Sequence, residues 1–285
     1  MASFTKLQKL VLGLGAVSGA AIYYITNVYE PEKKEFLDNK KVHASWTTNY
    51  VPSTKWDDNW DHRQPTSLVK PPRNGDTNEI SNEKLEEVKS RFTRHIILVR
   101  HGQYNLDGVN DEERFLTKLG VQQAESTGVR LKQLSLPYTD MVRSTMTRAQ
   151  QTGELISNSL PDIPVRNCDL IREGAPVPPE PPVGHWRPEP HQFFKDGARI
   201  EAAFREYFYR APPEQVKDTY TILVCHANVI RYFVCRALQF PPEAWLRLSL
   251  NHASITWLSI TPSGRVILRN LGDSGHMPPS LITSR

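Results

Sequence analysis

The sequence predicts an α/β domain, with a mostly parallel central sheet and helices on both faces, preceded by an N-terminal transmembrane helix. The domain is predicted by short apolar runs that alternate with longer helical patterns from residue 95 onward, and by polar residues that directly follow those runs. The transmembrane helix is predicted by an uncharged apolar run at residues 10–28. The 285 residues have a mean hydropathy of −0.49, which excludes a polytopic membrane protein.

The composition excludes further classes of protein. The net charge of +4 is too small to indicate a nucleic acid as the partner. Three cysteines are too few, and odd in number, for a secreted domain held together by disulfides. The 22 prolines outnumber the 15 glycines, which predicts extended linkers or a rigid loop in the chain.

Residues 1–29 are predicted to form a membrane anchor. A helix over 10–28 rises about 28 Å, close to the ~30 Å thickness of the hydrocarbon core. Tyr23 and Tyr24 stand near its C-terminal end, as interfacial aromatic residues do. The alternative is a cleavable secretory signal, although the run exceeds the usual apolar region of such signals. Lysines flank both sides of the run, so they leave its orientation open.

Residues 30–93 are predicted to be a polar tether. This tether contains the segment 56–61, Trp-Asp-Asp-Asn-Trp-Asp, in which the spacing of Trp56 and Trp60 places both on one face of a helical turn. Two large apolar side chains in a polar segment favour burial against some other surface. The alternative is an exposed linker whose tryptophans have no partner.

The elements from residue 81 to the end follow in a regular order. Ser81 and Thr117 are suited to cap the helices that follow them, because a hydroxyl oxygen accepts a backbone N–H. The dense prolines between 175 and 190 predict a loop. The predicted elements are a short helix after residue 81, strand 95–99, helix 117–134, strand 138–142, helix 146–160, strand 165–169, helix 197–210, strand 220–225, helix 228–238, and strands 254–260 and 266–271.

Charged side chains follow four of the predicted strands. In open α/β sheets ligands bind beyond the carboxyl ends of the strands, so these side chains are expected to meet in one crevice. Arg143 and Ser144 also follow a strand, and contact with substrate and packing at the strand end are equal alternatives for them. Asn105 is a further candidate phosphate contact. The residues expected in the crevice are Arg100, His101, Arg148, Glu173 and His226.

These residue types suit the cleavage of a phosphate ester. Arg100 and Arg148 can bind two phosphate oxygens each and disfavour protonation of His101. The neutral imidazole of His101 can then attack phosphorus and form a phosphohistidine, while a protonated His226 helps to stabilise the developing charge. Glu173 is the one carboxyl placed to protonate the leaving alkoxide and then to activate water. No spacing of metal ligands is present, and neither a metal nor a cofactor is expected.

The motifs around these residues resemble the histidine phosphatase, or phosphoglycerate-mutase-like, superfamily over about residues 94–273. They are Arg-His-Gly at 100–102 after an apolar strand, the run 116–124 and the run 144–152. The resemblance implies that Arg100, His101, Arg148 and His226 form a four-residue phosphate pocket, with His101 as the nucleophile. It also implies that Glu173 is the proton donor.

A wider set of sequences is similar to the mitochondrial protein serine/threonine phosphatases of this superfamily over nearly the whole chain. The set comprises 56–61, Arg-His-Gly-Gln-Tyr at 100–104, Arg-Glu-Gly-Ala-Pro at 172–176 and His-Ala-Asn-Val-Ile-Arg-Tyr at 226–232. The similarity implies a catalytic domain at 94–285 and a single-pass anchor, with the mitochondrial outer membrane favoured. It implies phosphoprotein substrates, including an apoptosis signal-regulating kinase that dephosphorylation activates, and homo-multimers formed through Trp56, Asp57, Asn59, Trp60 and Asp61.

The sequence leaves two alternatives to an anchored phosphatase. Glycolytic mutases of the superfamily continue after Arg-His-Gly with Glu-Ser-x-x-Asn, whereas Gln103, Tyr104 and Asn105 follow here, which favours a phosphatase. The other alternative is a multimeric scaffold or adaptor at the membrane with little or no catalysis. The tether lacks a Glu-Ser-Gly-Glu or Glu-Thr-Gly-Glu tetrapeptide, which argues against binding of a Kelch-type adaptor.

The cysteines and the loop residues have simpler interpretations. Cys225 and His226 are adjacent on a strand, so they face opposite sides and are not expected to form a catalytic pair. Cys168, Cys225 and Cys235 are expected in the core. His185, Trp186 and His191 either line a substrate groove or belong to an ordinary surface loop.

Overall fold

The computed structural model describes residues 54–69, 82–184 and 187–284. The predicted anchor at 10–28, most of the predicted tether, and His185 and Trp186 lie outside these residues. Among the helices that are described, none is long and apolar enough to cross a bilayer. The described residues from Trp56 onward belong to one compact unit.

Six strands form the central sheet, in the spatial order β3-β2-β4-β1-β5-β6. The pairs β3/β2, β2/β4 and β4/β1 are parallel, whereas β1/β5 and β5/β6 are antiparallel. The sheet is therefore mixed, and its parallel part holds the strands that precede the candidate site. The strands are β1 Arg94–Arg100, β2 Asp140–Ser144, β3 Val165–Cys168, β4 Thr219–Cys225, β5 Ile255–Ile260 and β6 Val266–Asp273.

Helices cover both faces of the sheet, as predicted, because successive residues of the buried strands point to opposite sides. The α-helices are α1 Pro65–Leu68, α2 Asn82–Glu87, α3 Lys118–Leu134, α4 Thr147–Ser159, α5 Pro190–Tyr207 and α6 Ala227–Ala237. Ile97 and Val99 of β1 pack with α3 and α4 on one face. Ile96 and Leu98 pack with α5 and α6 on the other face.

The start of α5 differs from the prediction, which placed it at 197. The helix begins at Pro190, because proline at the first helical position loses no hydrogen bond there. The Gln192 side chain accepts the Glu189 backbone N–H at 2.8 Å and closes this end. The proline-rich composition concealed a helix start within the predicted loop.

The segment 56–61 packs against the domain of its own chain. The Trp60 indole N–H donates to the Gly264 carbonyl at 2.8 Å, and its ring lies 6.1 Å from that of Phe204. The Asp61 carboxylate accepts hydrogen bonds from the backbone and the guanidinium of Arg210, the shortest at 2.7 Å. Packing against the core explains why a large apolar side chain occurs at Trp60, whereas Trp56 remains partly exposed. The prediction that the segment mediates multimers stays a prediction.

Candidate active site

The carboxyl ends of β1 and β4 bring two histidines together. Arg100 and Cys225 are register partners in this parallel pair, so His101 and His226 leave the two strands side by side. Their ring centroids lie 5.1 Å apart. One ligand-type atom from each of His101, His226 and Glu173 lies within 4.8 Å of the other two. The crevice that the sequence predicted is therefore formed.

Gly102 allows this turn to sit tightly on the start of α3. A Cβ on Gly102 would lie 2.5 Å from the Gly120 carbonyl oxygen, and one on Gly120 would lie 1.9 Å from that of Gln103. The Thr117 hydroxyl accepts the Gly120 backbone N–H and caps α3, as predicted. These two glycines fix the backbone that follows His101.

His101 is buried and its tautomer follows from its contacts. Nδ1 lies 2.8 Å from the Gly102 carbonyl oxygen, which only accepts, so Nδ1 carries the proton. Nε2 accepts a hydrogen bond from Nε–H of Arg148 at 3.3 Å, so Nε2 is unprotonated and its lone pair points toward the guanidinium. Burial, His226 and the two arginines Arg148 and Arg100 hold the pKa of His101 well below its usual range. This side chain is thus a neutral nucleophile with Nε2 as the reactive atom.

Arg148 lies at the start of α4 and is almost fully buried. Its guanidinium stacks 4.6 Å from the centre of the Tyr104 ring, and Nη1 lies 3.6 Å from an Asp111 carboxylate oxygen. Asp111 is itself held by the backbone N–H and hydroxyl of Thr147. Nη1 has no hydrogen-bond partner among the described residues. Arg148 is therefore fixed in place, with Nε–H directed at His101 and with an Nη1 that is paired electrostatically with Asp111 but makes no hydrogen bond.

Arg100 also reaches the site with a free donor. Nη1 donates to the Leu250 carbonyl at 2.6 Å, and Nη2 lies 3.0 Å from Nε2 of His252. Its buried Nε has no partner among the residues that the structure describes. Burial lowers the pKa of Arg100 to about 10, so the guanidinium remains charged near neutral pH.

His226 is held by Ser144 at the end of β2. His226 Nε2 lies 2.8 Å from the Ser144 hydroxyl oxygen, which also accepts the Met146 backbone N–H at 3.4 Å. We assign the Ser144 hydroxyl as the hydrogen-bond donor to His226 Nε2, so the ring proton of His226 lies on Nδ1. Nδ1 is buried and has no hydrogen-bond partner among the described residues. Burial and nearby arginines hold the pKa of His226 well below its usual range. This lowered pKa opposes the protonated form of His226 that the sequence predicts. A bound phosphate dianion would favour the protonated form again.

Glu173 follows the short 3-10 turn Asp169–Ile171 after β3. One of its carboxylate oxygens accepts the Gly174 backbone N–H at 3.3 Å. The residue retains some exposed surface, but burial of its carboxyl raises the pKa above the usual range, against the opposing effect of Arg148 and Arg100. A carboxyl with a raised pKa beside a nucleophile is suited to donate a proton.

The charges around the site favour an anion over a metal ion. His101, Glu173 and His226 offer a set of three metal ligands by geometry. Arg100, Arg148 and Arg231 all act on Glu173, however, and they would repel a cation placed among these ligands. Buried guanidinium nitrogens without hydrogen-bond partners call for an oxyanion, because unpaired buried donors cost free energy.

A cleft of about 570 Å³ leads away from Glu173. It lies along the start of α5 and the proline-rich loop, so a substrate larger than its phosphate group can extend there. Its lining includes Arg114, Glu173, Arg187, Asp196 and Asn228.

Several other candidates take roles outside the phosphate pocket. The Asn105 side chain donates to the Glu113 carbonyl and accepts the Asp107 N–H, so both its polar groups serve the loop. Arg143 Nε donates to Asn167, which favours packing at the strand end. His191 is exposed at the first turn of α5 and is not among the residues that line the cleft. Cys225 and Cys235 are buried as expected, and Cys168 is partly exposed.

Sequence reasoning missed Tyr104, Asp111 and His252. Tyr104 packs against both His101 and Arg148, and its place three residues after His101 was the one available signal. Asp111 lies in a polar loop, and His252 precedes an antiparallel strand. Neither residue follows the carboxyl end of a parallel strand, where ligand-binding residues are expected.

The sequence is similar to those of known proteins over most of its length. Residues 96–176 and 182–271 match the histidine phosphatase superfamily (branch 1). A relative from Drosophila pseudoobscura pseudoobscura, named serine/threonine-protein phosphatase Pgam5, mitochondrial, is 53% identical over 98% of this chain and 96% of its own. The protein of the same name from Drosophila yakuba is 52% identical over the same shares.

A solved phosphoglycerate mutase from Plasmodium falciparum is 34% identical and covers 66% of this chain and 96% of its own, with a TM-score of 0.48. The sequence match to the superfamily spans more than half of the chain and contains Arg100, His101, Arg148, Glu173 and His226. The chain belongs to the histidine phosphatase superfamily.

Proposed function

We propose that this protein is a protein serine/threonine phosphatase that acts through a phosphohistidine on His101 and needs no metal ion. One observation carries the proposal. The unprotonated Nε2 of His101 lies beside Arg148, and buried donor nitrogens on Arg100, Arg148 and His226 have no hydrogen-bond partner among the described residues. A phosphate dianion satisfies these donors and places phosphorus next to the nucleophile.

The first step transfers the phosphoryl group to the enzyme. The lone pair on His101 Nε2 forms a bond to phosphorus while the bond from phosphorus to the serine or threonine oxygen breaks. Glu173 gives its proton to the leaving oxygen, which departs as an alcohol. The free donors of Arg100 and Arg148 stabilise the charge on the equatorial oxygens, which increases as the bond breaks.

The second step returns the enzyme to its starting state. A water molecule attacks the phosphohistidine and gives a proton to the Glu173 carboxylate. The bond between phosphorus and Nε2 breaks, and inorganic phosphate leaves with His101 neutral. The hydrogen bond from Nδ1 to the Gly102 carbonyl keeps the ring in one orientation through both steps.

The protein substrate and the cellular setting are inferred from the relatives. Their names describe mitochondrial serine/threonine-protein phosphatases, and similarity over nearly the full chain supports the same substrate class and compartment here. The cleft beside Glu173 has room for residues that flank a phosphoserine. An apoptosis signal-regulating kinase is the proposed substrate, and its dephosphorylation would activate it in stress signalling.

The proposed organisation of the chain is an anchor at 1–29, a tether at 30–93 and a catalytic domain at 94–285. The apolar run 10–28 supports a single-pass anchor, for which we favour the mitochondrial outer membrane. Homo-multimers would form through segment 56–61. Replacing Trp56 and Trp60 by alanine should reduce both the assembly size measured by light scattering and the turnover rate; unchanged scattering contradicts this role.

The activity is tested on the full-length chain in detergent. In the presence of a chelator it should hydrolyse an aryl phosphate and a phosphoserine peptide, and His101→Ala should lose roughly a hundredfold or more. His191→Ala is the matched control, because this exposed histidine lies outside the pocket. Full activity in His101→Ala refutes the mechanism. Absent activity in the wild type with intact binding of partner proteins supports the scaffold alternative.

A further inference from the structure

A cluster beside the phosphate pocket has no part in the proposed mechanism. His252 is almost fully buried, and its ring centroid lies 5.6 Å from that of His101. Its Nε2 lies 3.0 Å from Nη2 of Arg100, and its Nδ1 lies 2.9 Å from the hydroxyl of Thr283. The match to the superfamily ends at residue 271, so Thr283 belongs to a segment outside the shared pattern.

The direction of each hydrogen bond in this cluster is determined. Arginine can only donate, so Nε2 of His252 accepts and the ring proton lies on Nδ1, which donates to the Thr283 hydroxyl oxygen. Burial and the charge of Arg100 lower the pKa of His252 to about 3. The imidazole therefore stays neutral and keeps this tautomer across the physiological range.

Residues 281–284 are held on both sides of this contact. The Thr283 carbonyl accepts the His252 backbone N–H at 2.8 Å, and the Ser284 carbonyl accepts Arg100 Nη1 at 3.1 Å. The buried amide of Gln123 on α3 donates to the Leu281 carbonyl at 2.6 Å and to the Thr283 hydroxyl at 2.8 Å. The same Gln123 accepts the Gln103 backbone N–H at 2.8 Å, two residues after His101. The segment is thus tied to the backbone of the site.

These contacts determine which N–H groups of Arg100 remain available to bind a phosphate. Nη1 uses both hydrogens, on the Leu250 and Ser284 carbonyls, and Nη2 uses one on His252. One hydrogen on Nε and one on Nη2 remain for an oxyanion, and Nε is buried without a partner among the described residues. A guanidinium held at both ends offers a phosphate one orientation, which lowers the entropy lost on binding.

We propose that Thr283 is a positioning residue that acts through His252 on Arg100, and that residues 281–284 complete the phosphate pocket. The inference rests on the proposed function, since it assumes that Arg100 binds phosphate. Thr283→Val removes the hydroxyl acceptor at nearly constant shape. His252 then keeps its Nδ1 proton, because Arg100 still only donates to Nε2, but the ring loses the hydroxyl that holds it in place, and Arg100 loses an acceptor in a fixed position.

The test is the affinity of the full-length chain for inorganic phosphate, measured by calorimetry. Thr283→Val should weaken it about tenfold, which is the effect of roughly one hydrogen bond to a charged group. Thr283→Ser retains the hydroxyl and should restore affinity to within about twofold of wild type. Ile282→Ala is the matched control, because that side chain is exposed on the same segment.

A second variant separates positioning from a general effect on folding. His252→Phe should weaken phosphate binding by a similar factor. Adding Thr283→Val to it should cost less than Thr283→Val costs alone, because the contact between the two residues is already lost and only the contact of Thr283 with Gln123 remains to be broken. This comparison also applies if Thr283→Val alone does not fold. Wild-type affinity in His252→Phe, additive losses in the double variant, or equal losses in Thr283→Ser and Thr283→Val would overturn the inference. Absent phosphate binding by the wild type would instead refute the proposed pocket.

Discussion

Replacing Arg148 by lysine tests whether a planar guanidinium, and not positive charge alone, is needed beside His101. The arginine donates Nε–H to His101 Nε2 at 3.3 Å and keeps a buried, unpartnered Nη1 for phosphate. A lysine ammonium keeps the charge, but it cannot span both positions or stack on Tyr104 in the same way. In the transition state the lone pair of His101 Nε2 bonds to phosphorus, so Nε–H of Arg148 turns with Nη1 toward the phosphate oxygens, and the lysine variant loses these two charge-assisted hydrogen bonds.

The size of the effect follows from these two contacts. Each hydrogen bond to a charged group contributes about 1.5 kcal/mol, so the loss is about 3 kcal/mol. At about 1.4 kcal/mol per factor of ten, kcat/KM should fall roughly a hundredfold. The assay is steady-state hydrolysis of an aryl phosphate, with thermal unfolding recorded to confirm that the variant folds.

Arg166→Lys is the matched control for this substitution. Arg166 is half exposed, lies 3.7 Å from Glu206 and stacks on Tyr207 outside the site. Its kcat/KM should stay within about twofold of wild type, since exposed ion pairs contribute little. A folded Arg148→Lys variant with kcat/KM within twofold of wild type would refute the assignment of a paired donor to Arg148.

Three further predictions follow from the same contacts. Glu173→Gln should lower kcat/KM, which reports the first step, far more for a phosphoserine peptide than for p-nitrophenyl phosphate, because nitrophenolate leaves without a proton; equal losses in kcat/KM would contradict a proton donor. With the lowered pKa of His101 and the raised pKa of Glu173, kcat/KM for the peptide, corrected for substrate ionisation, should show no loss on the acid side from protonation of His101, and it should fall on the alkaline side as Glu173 deprotonates above the ordinary range of a carboxyl. A fall in kcat/KM on the acid side, in the usual titration range of an imidazole and caused by protonation of His101, would contradict the lowered pKa of His101. Asp61→Asn should destabilise the fold by about 3 kcal/mol, seen as a lower midpoint in thermal unfolding, because it leaves the buried Arg210 charge uncompensated.

The sequence predicts the parallel part of the sheet and the core of the site for one physical reason. Buried apolar strands that end at Arg100 and at Cys225 bring the next residues, His101 and His226, together where the parallel strands end side by side. Glu173 and Arg148 join them because the same rule applies to β3 and β2. Local patterns that coincide with the topology are therefore sufficient here.

Features that depend on contacts between distant residues are not visible in such patterns. The apolar run of β5 carries no mark of its direction, so its antiparallel pairing with β1 was not predicted. The contact between Arg100 and His252 joins residues 152 positions apart, and it depends on one nitrogen atom. The neutral state of His226 follows from burial among arginines, which only the folded chain determines.

The most direct measurement is a search for a covalent phosphoenzyme. The full-length chain is mixed with radiolabelled phosphopeptide and quenched within the first turnover. The account predicts protein-bound phosphate that is stable in alkali and labile in acid, as phosphohistidine is, and that is absent in His101→Ala. It also predicts accumulation of this intermediate in Glu173→Gln with an aryl phosphate, because the second step lacks its base. A single-turnover burst without label on the protein, or label that persists in His101→Ala, would contradict the central claim.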